Sequence, residues 1–268
     1  MQGIRKRQFS KASIAYIALG VVLISVMTAL GLSAFLRIAE IRIEGQQKYT
    51  SEEIIAASGL NAGDNLMLVN SRDLALQIRT KLPFAEEVHV SRVLPNVVSI
   101  EIVESVAVAR VTSAGWYYVL DSNCRVLAGS YGLSENEAVS DIVDDFESLI
   151  EIRGIEIEET PLGIVLKPVF GAETKLQYTQ DILAAVERHG ISDDVSYIDV
   201  SNITNVFFGY LGRYRVILGG SVNLRPSSIR HNLERLVESI PQINEHYPNT
   251  SGDINLSDDT AAPRFFPT

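Results

Sequence analysis

The chain has 268 residues, a single cysteine and a formal net charge of −10. One thiol, Cys124, excludes an internal disulfide or a cysteine-based metal cluster, so any fold is held by apolar cores. The acidity argues against nucleic-acid or anionic-lipid binding, since no basic patch of useful size lies beyond the N-terminal flank.

The first element is the most distinctive. Ile14 to Phe35 contains no charged residue, while Arg5, Lys6, Arg7 and Lys11 precede it with no acidic residue among them. At about 1.5 Å per helical residue the run spans about 33 Å, the thickness of a bilayer hydrocarbon core. The expectation is one transmembrane helix over 14–35, with the positive-inside bias of Arg5, Lys6, Arg7 and Lys11 holding residues 1–13 in the cytoplasm and the bulk outside. A cleaved signal peptide is the rival. Its apolar region is usually about 7 to 15 residues and ends at a small-x-small site, which Leu32-Ser33-Ala34-Phe35 matches poorly.

Beyond the run, Ile41 and Ile43 alternate with Glu40, Arg42 and Glu44, the pattern of a half-buried strand stopped by Gly45. Thr50-Ser51-Glu52-Glu53 is a capping-box sequence that opens a helix, and Gly59 is its stop. Asn70 or Ser71 opens a second helix with Leu74, Ile78 and Leu82 on one face, ended by Pro83. Val88 and Val90, then Val98, Ile100 and Ile102, mark two strands joined across Leu94-Pro95-Asn96. Strand, helix, helix, strand, strand makes a small α+β unit.

Trp116 to Leu120 reads as an aromatic strand, turning at Asp121-Ser122-Asn123 into Arg125 to Leu127. The run from Ser130 to Glu159 is polar and acid-rich. A helix is expected from about Thr179 to His189, burying Ile182, Leu183 and Val186, and another from Pro226, burying Ile229, Leu233, Leu236, Val237 and Ile240. Strands fall at Val195 to Val200, Val206 to Leu211 and Tyr214 to Leu218. A last short strand covers Gly252 to Ser257, with Ile254 and Leu256 on one face. The fold class is α+β, a small module followed by a larger sheet-dominated domain with two helices.

This order resembles the FtsQ/DivIB family of bacterial division proteins. The resemblance rests on Ile41-Arg42-Ile43-Glu44-Gly45, on Leu60-Asn61-Ala62-Gly63-Asp64-Asn65-Leu66, on the stretch from Pro83 to Asn96, on Val103 to Ala109, and on Tyr118 to Leu127. Two segments depart from the family pattern: Asn123-Cys124 stands where glycine is usual, and Leu149 to Gly154 lacks a proline. The resemblance implies a tail at 1–13, a transmembrane helix at 14–35, a POTRA module at 36–108, a β-domain at 109–257 and a C-terminal tail at 258–268. It further implies residence in the plasma membrane at the division septum, and partners of the FtsL-like and DivIC/FtsB-like single-span type. In the family a partner segment pairs along the terminal strand, here Asp253, Ile254, Asn255, Leu256 and Ser257. Phe265 and Phe266 are candidate apolar anchors beside it, with packing onto the domain's own core as the alternative. The Val88-His89-Val90 strand is a second candidate margin.

No catalytic constellation emerges. His89, His189, His231 and His246 lack ligand spacing, and neither a Gly-x-Ser-x-Gly elbow nor a phosphate-cradling loop is present. No metal, cofactor or small-molecule substrate is expected, and the reading is a non-enzymatic scaffold. The alternative is a membrane-anchored peptidase or wall hydrolase of the serine-lysine kind, for which Lys48, Lys81, Lys167 and Lys175 are the lysines beyond the anchor. Polypeptide transport by the POTRA unit would normally require a β-barrel, whose strands of about 10 residues are absent from the last third.

Overall fold

The computed structural model describes residues 11–131, 148–220, 225–258 and 261–268. Arg5, Lys6 and Arg7 lie outside these residues, as does most of the acid-rich run after Ser130. The chain divides into two compact units, one comprising residues up to 81 with 85–104, the other 82–84 with 105–268.

The first unit begins with α1 (Lys11–Phe35), a helix of 25 residues. Within it side chains are described at 15–28 and at Gly31 and Phe35, and those of Leu19, Val22, Leu23 and Met27 are exposed. Among the described residues no helix is long and apolar enough to cross a membrane. The rest of the unit is β1 (Glu40–Glu44), α2 (Ser51–Ser58), a 3-10 turn at Leu66–Leu68, α3 (Ser71–Lys81), β2 (Ala85–Val93) and β3 (Val97–Glu104). These strands form a sheet ordered β1-β3-β2, with β1 parallel and β2 antiparallel to β3.

Local chemistry sets these boundaries. Thr50 Oγ1 accepts the Glu53 amide while the Glu53 carboxylate accepts the Thr50 amide, closing the capping box of α2. These hydrogen bonds hold the Glu53 carboxyl below its ordinary range. Gly59 ends the helix in the left-handed region at φ 72°. Ile54, Leu74, Ile78, Val98, Ile100 and Ile102 are buried core residues, so two amphipathic helices and the alternating strands supply the apolar side chains.

Among the described residues the second unit is one mixed sheet with two long helices. Its strands are β4 (Ala109–Ser113), β5 (Trp116–Leu120), β6 (Val126–Tyr131), β7 (Ile150–Arg153), β8 (Val195–Asp199), β9 (Val206–Tyr210), β10 (Tyr214–Gly219), β11 (Gly252–Asn255) and β12 (Arg264–Pro267). Their order is β12-β11-β10-β9-β8-β7-β4-β5-β6. The helices α4 (Glu173–Arg188) and α5 (Pro226–His246) bring Ile182, Leu183, Val186, Ile229, Leu233 and Leu236 into one core with the inner faces of these strands. A smaller cluster of Tyr117, Val119, Ala128 and Leu149 lies apart from that core, so β5 is buried on both faces.

The hairpin turn between β5 and β6 has a position that favours glycine but holds cysteine. Cys124 occupies the left-handed region at φ 58°, the conformation a glycine would relieve, and is fully buried. Burial pushes its thiol well up from the ordinary range, with Asp121 nearby adding to the effect, so it stays protonated and unreactive. Asp121 accepts the amides of Asn123 and Arg125 at 2.9 and 2.8 Å.

Two expectations are corrected here. Val237 is 40% exposed, at the flank of the α5 stripe rather than in the core. Residues 264–267, expected within a tail, form a strand of the sheet.

Candidate partner-binding edge

The far margin of the large sheet is built by α5 and the two strands after it. Parallel strands cannot be joined by a tight turn, and α5 is the crossover from β10 to β11. Its end is pinned to β10, where Asn244 Oδ1 accepts from Arg213 at 2.5 Å and from the Tyr214 hydroxyl at 2.6 Å. After β11 the chain reverses. Asn255 Oδ1 accepts the Ser257 amide, and Arg235 reaches from α5 to the carbonyls of Asp258 and Ala261. β12 then returns antiparallel to β11, pairing Asp253 with Phe266, Ile254 with Phe265 and Asn255 with Arg264.

The terminal-strand candidates therefore do not form the margin of the sheet. β11 has β10 on one side and β12 on the other, and Ile254 and Leu256 are fully buried. Among the described residues the open margin is one strand further on, because four residues expected as tail complete the sheet. Of the two aromatics, Phe265 is partly buried, its ring 5.8 Å from Tyr214 and 5.0 Å from Tyr247 between centroids. Phe266 is 51% exposed on the opposite face.

Backbone parity decides what the margin offers. The amides of Gly252 and Leu256 donate to Arg213 and Ile217 of β10 and its end, so even-numbered residues of β11 face β10 and odd-numbered ones face β12. The Thr268 amide donates to the Ser251 carbonyl at 3.0 Å, which fixes Arg264 and Phe266 as the residues bonded inward to β11. Phe265 and Pro267 then point their backbone groups outward. Proline has no N–H, so within β12 the margin presents one donor, at Phe265, and two carbonyl acceptors.

Beside this margin the outer face carries a continuous strip of side chains. The Arg153 guanidinium stands 4.2 Å from the Tyr197 ring, Tyr197 meets Phe207 edge-on at 6.3 Å, and Arg215 lies over Phe207 at 5.5 Å. Arg215 also pairs with Asp253. A shallow hollow of about 450 Å³, lined by Tyr197, Arg213, Arg215, Asp253 and Thr268, lies along it. Cation–π pairs with paired charges make a face that is partly apolar yet ordered.

The geometry thus puts Phe265 and Phe266 on the marginal strand, Asp253 on the internal strand paired with Phe266, and Ile254 and Leu256 in the core. Asn255 and Ser257 shape the reversal. Of the basic flank only Lys11 falls within the described residues, as the first residue of α1. Missed in the sequence were Arg264 and Pro267, and the supports Arg235 and Gly252. A Cβ on Gly252 would sit 2.7 and 2.9 Å from ring atoms of Phe265 and overlap the Phe266 carbonyl. A pair of prolines bracketing an aromatic couple after a polar turn was the available signal for a short edge strand.

Comparison with known proteins agrees with this architecture. Residues 36–105 match the POTRA domain of the FtsQ type. The chain is 19% identical over 206 residues to the cell division protein DivIB of Clostridium tetani, covering 76% of this chain and 72% of that protein. It is 24% identical over 200 residues to DivIB of Clostridium botulinum, covering 73% and 72%. The cell division protein FtsQ of Geotalea daltonii is 33% identical over 91 residues, 34% of this chain and 32% of that protein. With an FtsQ-type POTRA module in its first unit and DivIB proteins aligned along most of its length, the chain is similar to the FtsQ and DivIB cell division proteins.

Proposed function

We propose that this protein is a non-enzymatic divisome scaffold, fixed in the plasma membrane by residues 14–35 with its N-terminus in the cytoplasm, and that it recruits single-span division proteins through its extracytoplasmic units. The charge-free run behind Arg5, Lys6, Arg7 and Lys11, and its helical conformation from Lys11 to Phe35, support the anchor. The observation that carries the recruitment is the open β12 margin, with one amide, two carbonyls and Phe266 exposed beside them.

A strand from an FtsL-like or DivIC/FtsB-like partner pairs with Phe265 and gains only a few backbone hydrogen bonds, each worth about 0.5 to 1.5 kcal/mol net. Phe266 and the Arg215–Asp253 strip supply the remaining contact. Co-residence in one membrane at fixed height raises the effective concentration, so this modest interface suffices.

The test is reconstitution of the full chain with each candidate partner in lipid nanodiscs. Phe266→Ala weakens capture without moving the thermal midpoint. Unchanged capture rejects this margin. Depletion in cells gives filaments lacking septa, and normal septa would argue against the division role.

A further inference from the structure

Leu36 follows α1 directly, and its carbonyl accepts the Leu66 amide at 2.9 Å. The Ile38 amide donates to the Asp64 carbonyl and the Ile38 carbonyl accepts the Gly63 amide, both at 2.8 Å. The loop before the 3-10 turn is therefore laced, backbone to backbone, to the residues that leave α1. All these contacts lie within the first unit.

The turn itself is held from beneath, because Leu66 is buried and Asn65 Oδ1 accepts the Met67 amide at 2.9 Å. Met67 and Leu68 stand out from it, 55% and 82% exposed. The turn between β2 and β3 lies at the same end of the module, since the Asn96 carbonyl accepts the Ala39 amide, and it exposes Val93 and Leu94. Arg92 joins the two turns. It donates to the Met67 carbonyl at 3.4 Å, and Arg37 donates to the Gly63 carbonyl at 3.2 Å. Single exposed apolar residues are ordinary on a protein surface, but these four gather at the end where the chain leaves α1.

We propose that this apolar end of the module rests in the outer interface of the bilayer that α1 spans, with Met67, Leu68 and Leu94 entering below the headgroups. The inference rests on α1 being the membrane anchor. Arg37 is the first charged residue after the run that begins at Ile14, so it marks headgroup depth. The polar layer is about 5 to 8 Å deep on each side, and Leu68 lies within about 7 Å along the chain from Leu66, which is bonded at that depth. Reach and depth therefore match. Arg37 and Arg92 keep their guanidinium groups at the phosphates while their stems lie along the apolar end. This second contact fixes the height and tilt of the module, which a single helix leaves free.

Methyl NMR of the full chain in phosphatidylcholine nanodiscs, doped with lipid carrying a nitroxide on its acyl chain, tests the proposal. Met27 in α1 reports the anchor, and Met67, Leu68 and Leu94 report the contact. Val103 is the control, an exposed residue near the other end of β3 and about 20 Å from Val97. The methyl signals of Met27, Met67, Leu68 and Leu94 broaden, and that of Val103 keeps its intensity. Leu68→Asp with Leu94→Asp restores the Met67 signal without moving the thermal midpoint, because both side chains are exposed. Full intensity at Met67 and Leu68 beside a broadened Met27 overturns the proposal and leaves the anchor standing. Full intensity at Met27 as well overturns both. Broadening at Met67 that persists in the double variant, or that reaches Val103 equally, also overturns the contact.

Discussion

Gly252→Ala isolates β12 from the rest of its domain. The new Cβ meets the Phe265 ring and the Phe266 carbonyl, both on β12, so the relief of strain is for β12 to leave. Up to five backbone hydrogen bonds are lost, one from Thr268 to Ser251 and the others in the pairs of Asp253 with Phe266 and Asn255 with Arg264. At about 0.5 to 1.5 kcal/mol each they are nearly offset by freeing four residues at about 1 to 2 kcal/mol each. The net cost is the half-buried Phe265 ring with its contacts to Tyr214 and Tyr247, about 2 kcal/mol. That caps the fall in the thermal midpoint of the second unit at roughly 4 to 8 °C. Amide hydrogen exchange reads the mechanism. Asp253, Asn255 and Phe266 lose protection, while Ile254 and Leu256, which face β10, keep it. Retained protection at Phe266, or loss at Ile254 as well, refutes the parity argument.

Three further outcomes arise from the same geometry. Ile254→Pro removes an amide directed at β10 and a fully buried side chain from an internal strand, costing about 3 kcal/mol or more and unfolding the second unit in denaturant titrations. Thr50→Ala destabilises the POTRA unit by about 1 kcal/mol, and because the folded Glu53 carboxyl is depressed, the native chain has a stabilising contribution present above the ordinary glutamate pKa of 4.5 and lost as pH falls through the folded value. The variant flattens that acid limb, and NMR titration shows its Glu53 pKa rising toward 4.5. Gly45→Ala combines φ 89° with overlap on the Ile102 carbonyl, so it lowers the POTRA midpoint more than an exposed Gly→Ala change, by at least about 1 kcal/mol in stability.

The elements legible in the sequence are those whose signal is local. The capping box at Thr50 and Glu53, the glycine stop at Gly59 and the strict alternation of Val98, Ile100 and Ile102 each specify an element from a few neighbouring residues. The start of α4 was hidden because Ala172 provides no side-chain cap, so the helix begins at Glu173 rather than at the expected Thr179, with only Leu176 and Tyr178 buried ahead of it. β4, β7 and β12 are short strands whose stability comes from partners distant in sequence, and neither propensity nor periodicity over four or five residues reports that. For the candidate edge the sequence pointed to β11, whereas the outermost strand is β12. Which of two adjacent strands closes a sheet depends on a chain reversal held by Arg235, 26 residues along the chain from the Ala261 carbonyl that it grips.

The most direct test of the account is amide exchange at Phe265 in the full chain, with and without a bound division partner. The outward-facing Phe265 amide is expected to exchange freely in the unbound protein and to become protected on binding, while Ile254 is protected in both states. A partner that binds and leaves the Phe265 amide exchanging at its free rate would contradict strand addition at this margin.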